Sequence, residues 1–171
     1  MSSILAAALV LQLAGPVQTE PPPPPPSRTP DEASGGIRLT AGVHELRHAD
    51  SASGEAGVEV RLPWRAFGVV GPVAGVTVTS TASTFAYSGL ALDLPVGSRV
   101  RVTPSFAAGL YARGGGKDLN NPVQFRTGLE LAIRISPRAR VGVEVTHLSS
   151  GGLATPNPGV ESLVLVYEIP F

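Results

Sequence analysis

The chain has 171 residues, room for one domain, and its 13 basic and 13 acidic residues leave a formal net charge of +0. That balance excludes a nucleic-acid binder of the electrostatic kind, and the absence of cysteine excludes disulfides, thiolate metal sites and cysteine nucleophiles. Only 15% of residues are charged and mean hydropathy is +0.19, yet no stretch reaches the roughly 18 apolar residues of a membrane-spanning helix.

A closed β-barrel resolves that conflict, because its oily residues alternate with polar ones and a window average misses them. In chain order, residues 1–19 read as an export signal. Ile4 to Leu13 is an apolar run of h-region length followed by Ala14 and Gly15, although no Lys or Arg precedes it. Residues 20–36 form a tail in which Pro21 to Pro26 is an unbroken polyproline run, a spacer that cannot join a sheet. From Ile37 to Phe171 the pattern has period two, broken by Gly, Pro, Ser and Asn turns.

The alternation predicts eight strands, near 37–47, 55–64, 73–82, 85–95, 98–111, 122–136, 138–149 and 160–171. Eight is the smallest membrane barrel, so the expected fold is all-β, an eight-stranded antiparallel transmembrane β-barrel. His44 and His48 fall where the first strand runs into a loop and read as solvated rim residues, since their spacing there does not converge on a metal. Trp64, Tyr87 and Tyr111 read as interface-belt aromatics. Gly114, Gly115, Gly116 and Lys117 lack the rest of a phosphate-loop pattern and read as a flexible loop.

In "VQFRTGLELAIRIS", Val123, Phe125, Leu129, Leu131, Ile133 and Ile135 share one face, while Gln124, Arg126, Glu130 and Arg134 share the other. Glu59, Arg61, Asp93, Arg99, Arg101, Glu144 and Glu168 join the second set as charges facing the lumen. Side chains fill an eight-stranded interior, so no open pore is expected. The last strand alternates through Leu163, Leu165, Tyr167 and Ile169 to Phe171, like the closing strand of bacterial outer-membrane barrels.

The same parity puts three polar side chains on the oily face. Val141, Val143 and Val145 face outward, and that face continues to His147 and Ser149. Leu163 and Leu165 carry Glu161 outward on the next strand. An ionisable group on the lipid face costs up to a few kcal/mol at the midplane and about 0–1 near the interface. With the N-terminus in the periplasm, this strand pair is joined on the extracellular side, so the three groups belong at the outer-leaflet interface. Ester cleavage needs a serine, a base within reach of it, and a group that orients the base. Residues i and i+2 on a strand point the same way about 6.5–7 Å apart, and the neighbouring strand can supply the third group.

The segment His147-x-Ser149, then "GGLATPNPGV", then Glu161 opening the last strand, resembles the active-site segment of the lipid A 3-O-deacylases of the PagL type. The resemblance covers about 25 residues, and Ser150 and Leu148 depart from the Asn and the aromatic common there. It implies an outer-membrane esterase acting on the 3-O-linked acyl chain of lipid A, with Ser149 as nucleophile, His147 as general base and Glu161 as its orienting acid. It also implies an oxyanion hole from the Gly152 N–H and the Asn157 side chain, and no metal or cofactor. The expected partners are lipopolysaccharide and the outer membrane, with no nucleic acid; oligomeric state is left open. Two other readings predict different features. A structural or adhesive barrel has no use for the triad, and a soluble ligand-binding barrel would put its charges outside and its aliphatic residues inside.

Overall fold

The computed structural model describes residues 35–47 and 49–171. The export signal, the proline run and His48 therefore lie outside the described residues. The extended segments are β1 Gly36–His44, β2 Ser53–Arg61, β3 Val70–Thr79, β4 Thr84–Leu92, β5 Leu94–Val96, β6 Val100–Ala112, β7 Val123–Ser136, β8 Ala139–Ser149 and β9 Val160–Pro170. Every pairing is antiparallel, and the β1–β9 and β4–β6 pairings complete the ring. Ala91 faces Ser105 and Leu94 faces Val102, so β5 continues β4 past Asp93 in one register on β6. The molecule is a closed eight-stranded antiparallel transmembrane β-barrel.

Its faces are inverted relative to a soluble barrel. Leu39, Val58, Val76, Leu129, Leu131, Ile133, Val143, Val145, Leu163 and Leu165 are exposed, whereas Arg38, Glu59, Arg61, Glu130, Glu144 and Glu168 are buried. A water-facing surface so rich in aliphatic strands would aggregate, and hydrocarbon is the solvent that suits it. The soluble reading is thereby overturned.

Buried charges persist only when paired, and here they pair across the lumen. Arg38 on β1 meets Glu59 of β2, Glu130 of β7 and, at 2.9 Å, Glu144 of β8. Arg61 reaches Asp93 at 3.1 Å and Glu130 at 3.0 Å. Arg101 pairs with Glu168, and Arg126 with Glu144 at 2.9 Å. Arg99 departs from the expected set, being exposed in the short turn after β5.

Two further expectations need correction. Tyr87 and Tyr111 are buried lumen residues, not belt aromatics. Tyr87 donates its hydroxyl to Glu59 at 2.9 Å and receives the Arg126 guanidinium over its ring, and Tyr111 donates to the Lys117 carbonyl at 3.0 Å. Trp64 is exposed, as expected, in the connection between β2 and β3. His44 is not a solvated rim residue. It ends β1 on the inward face, buried, with Nδ1 2.9 Å from Glu55 Oε2 and 3.0 Å from Ser162 Oγ.

The strand ends divide into two groups. Residues 45–52, 80–83, 113–122 and 150–159 connect the strands at one end; the turns 97–99 and 137–138, the connection 62–69 and the C-terminus lie at the other. The candidate site belongs to the first end.

Candidate active site

The β8–β9 register sets the site. Val145 faces Leu163, Thr146 faces Ser162 and His147 faces Glu161. Directly opposed residues on one face have their Cβ atoms about 4.5–5.5 Å apart, within reach for a ring and a carboxylate. His147 Nδ1 lies 3.0 Å from Glu161 Oε1. Thr146, Leu148 and Ser162 are the inward neighbours and are buried, so His147, Ser149 and Glu161 all lie on the outer face, as their parity requires. The pair is unequal in exposure: the His147 side chain is 45% accessible and that of Glu161 only 15%.

Ser149 closes β8 opposite Phe125 of β7. Among the described residues no hydrogen bond joins its hydroxyl to the His147 ring. The structure thus brings His147 and Glu161 into contact and puts Ser149 beside them on the same face. Catalytic hydrogen bonds are commonly long in unliganded enzymes and tighten on the reacting complex.

The loop after Ser149 turns on Gly151 (φ 61°) and Gly152 (φ 89°), a left-handed pair that side chains disfavour. Ser150 is fully buried at the neck of this loop. Its backbone N–H and its hydroxyl both donate to Asn157 Oδ1, at 3.0 and 2.7 Å. Ser150 therefore anchors Asn157 despite departing from the residue common in the family. With Oδ1 engaged as an acceptor, the Asn157 amide nitrogen keeps its hydrogens for another acceptor. The Gly152 N–H makes no backbone hydrogen bond among the described residues. Leu148, the other departure, is an inward core residue alongside Phe85, Tyr87, Tyr111 and Val160.

Three residues not anticipated from the sequence complete the surroundings. Arg47 Nη2 lies 2.9 Å from Glu161 Oε1, the oxygen that His147 also contacts. Lys117 Nζ donates to the Gly159 carbonyl at 3.2 Å. Gly159 faces the Cε1 end of the imidazole: a Cβ there would come within 2.5 Å of His147 Cε1. Nothing local in the sequence links Arg47 or Lys117 to His147, because barrel closure brings them together. The Pro-Asn-Pro-Gly turn was the only available hint for Gly159.

Comparison with known proteins gives the family and the fold. The family model described as lipid A 3-O-deacylase (PagL) matches residues 55–170. The chain belongs to the lipid A 3-O-deacylase (PagL) family. It is 34% identical over 58 residues to the lipid A deacylase PagL of Pseudomonas aeruginosa, 34% of each chain. It is 28% identical over 80 residues to that of Bordetella bronchiseptica, 47% of this chain and 40% of the relative. The aligned stretches thus span about two-fifths or less of these relatives. The crystal structure of the outer membrane enzyme PagL superposes with a TM-score of 0.60 and 18% identity, covering 80% of this chain and 99% of that one. At that identity the match supports the fold alone. In this PagL-family barrel the His147–Glu161 pair stands on the outward face, not among the paired charges of the lumen.

Proposed function

We propose that this PagL-family protein is an outer-membrane esterase that hydrolyses the 3-O-linked acyl chain of lipid A. The observation that carries this reading is the cross-strand contact of His147 and Glu161 beside Ser149, on the outward face at the end of the barrel bearing the longer loops. Lipid A presents ester bonds at the outer-leaflet interface, where such a site would meet them.

Ser149 Oγ attacks the ester carbonyl carbon while His147 Nε2 takes its proton. Nδ1–H of the resulting imidazolium donates to Glu161, which fixes the tautomer and stabilises the charge. The developing oxyanion is held by the Gly152 N–H and the Asn157 amide; losing one such donor costs about 10²–10³ in rate. Collapse of the tetrahedral intermediate breaks the acyl–oxygen bond, and His147 returns the proton to the departing 3-hydroxyl of the glucosamine. Water, deprotonated by His147, then releases the acyl chain from Ser149. The chain itself lies in hydrocarbon along Val143, Val145 and Leu163, all exposed on this face. Residues 1–19 serve as the export signal for this location. The proposed chemistry employs no metal or cofactor.

Expression in a host whose lipid A is 3-O-acylated tests the reading by mass spectrometry. Lipid A lighter by one hydroxyacyl chain is expected, with no mass loss for Ser149→Ala or His147→Asn. An unchanged spectrum with folded protein in the outer membrane would favour a non-catalytic barrel.

A further inference from the structure

We infer that Arg47 and Lys117 are positioning residues for His147, one acting on each of the two groups that support its ring. The inference rests on the Ser149/His147/Glu161 reading above. The imidazole meets Glu161 at Nδ1 and closes on Gly159 at Cε1. Each of these is held by a cation from a different neighbouring connection.

Arg47 follows β1. Its own neighbour Leu46 donates its backbone N–H to the Glu161 carbonyl at 3.1 Å, extending the β1–β9 ladder beyond His44 and Ser162. The loop is thus hydrogen-bonded to the same residue whose carboxylate Arg47 grips at 2.9 Å. Arg47 is 73% exposed, so the pair contributes little to stability. Its consequence is geometric. A carboxylate that accepts from one donor can swing about its terminal torsion; one gripped by both Arg47 and His147 at Oε1 is held in a single orientation.

Lys117 follows β6 and is the chain's single lysine. Its ammonium is shared between the Gly159 carbonyl and Glu45 Oε1, the latter at 3.1 Å. Glu45 is buried and held at φ 66° where the chain leaves β1, so Lys117 has a fixed counter-charge. The ammonium therefore ties the start of β9 to both neighbouring connections. Asn120 adds a second tie by donating to the Pro156 carbonyl at 3.1 Å. Since Gly159 closes on the Cε1 end of the ring, a shift of its backbone bears directly on His147. From β7 the residue facing His147 is Thr127, which carries no charge. Glu161 and Arg47 are then the charged groups on the Nδ1 side, and Lys117 the one fixing Gly159 at Cε1.

Steady-state kinetics on the full chain in detergent, with purified lipid A, separate this role from the alternatives. Arg47→Ala and Lys117→Met should each lower kcat roughly three- to tenfold with KM within about twofold, since misplacing a catalytic group slows chemistry more than binding. Arg47→Lys and Lys117→Arg should restore most of the rate. A rise in KM with kcat intact would instead make these cations contacts for the anionic headgroup, and would overturn the inference, as would unchanged kinetics. Heat-modified mobility on gels confirms folding; for a variant that fails it, Arg47→Gln or Lys117→Gln takes its place. If the parent itself leaves lipid A intact, the functional reading fails and crystal structures decide the positioning role separately. A His147–Glu161 hydrogen bond kept in the parent and opened in the variants supports it; the bond kept in both overturns it.

Discussion

At the scale of single residues, the site depends on one missing side chain and one carboxylate. Gly159 has no need of a left-handed backbone; it is required because the His147 ring occupies the space its Cβ would take, 2.5 Å from Cε1. Gly159→Ala should therefore leave the barrel folded and displace the imidazole, lowering the deacylation rate roughly tenfold or more. A rate equal to the parent's would show that the ring does not work from this position. In the proposed mechanism Glu161 orients the base and does not attack the ester, so Glu161→Ala should slow turnover by roughly 10²–10⁴, less severely than Ser149→Ala. Arg47 would lose its partner in that variant, but as an exposed cation it would be rehydrated at little cost. Parent-like turnover of Glu161→Ala would leave only a Ser149–His147 assignment.

The strands themselves were legible in the sequence because the period of two is enforced on both faces. Lipid selects aliphatic residues outward and the narrow lumen selects paired charges inward, so β7 could be read residue by residue. Sidedness failed where the sequence does not contrast the faces. In "TFAYSGLAL" the outward positions are Thr84, Ala86, Ser88 and Leu90, while Phe85 and Tyr87 turn inward, so hydrophobicity alone points the wrong way. His44 differs for another reason: the parity of Leu39 and Val43 already carries it inward within the expected first strand, but its partners Glu55 and Ser162 come from other strands and meet it only in the folded barrel. His147 and Glu161 were legible because strong alternation flanks both; Arg47 and Lys117 were not, because loop contacts have no period. The lumen network also carries a testable load. Arg38 bridges β1 to β2, β7 and β8 through three buried carboxylates. Removing one partner of buried pairs leaves uncompensated charge and costs about 3–5 kcal/mol. Arg38→Met should unfold at distinctly lower urea concentration, read from the folded and unfolded bands on unheated gels, and an unchanged midpoint would mean that the network is not a stabilising element.

For the whole molecule, the decisive property is which way the barrel points. The proposed reaction needs lipid A, and the site lies at the end carrying the connections 45–52, 80–83, 113–122 and 150–159, away from the C-terminal Phe171. The apolar belt makes either orientation compatible with hydrocarbon, so the belt cannot choose between them. The loops can, because short turns belong on the periplasmic side and longer connections outside. The turns 97–99 and 137–138 are the shortest among the described residues and lie opposite the site. The sequence offers a clean probe, since it has no cysteine. Leu153→Cys, exposed in the loop after Ser149, should react with a membrane-impermeant maleimide on intact cells. Ser98→Cys, exposed in the turn before Arg99, should react only after the outer membrane is broken. The reverse pattern would put Ser149 in the inner leaflet among phospholipids, and the lipid A reading would fall while the barrel, its lumen network and the His147–Glu161 pair all stood.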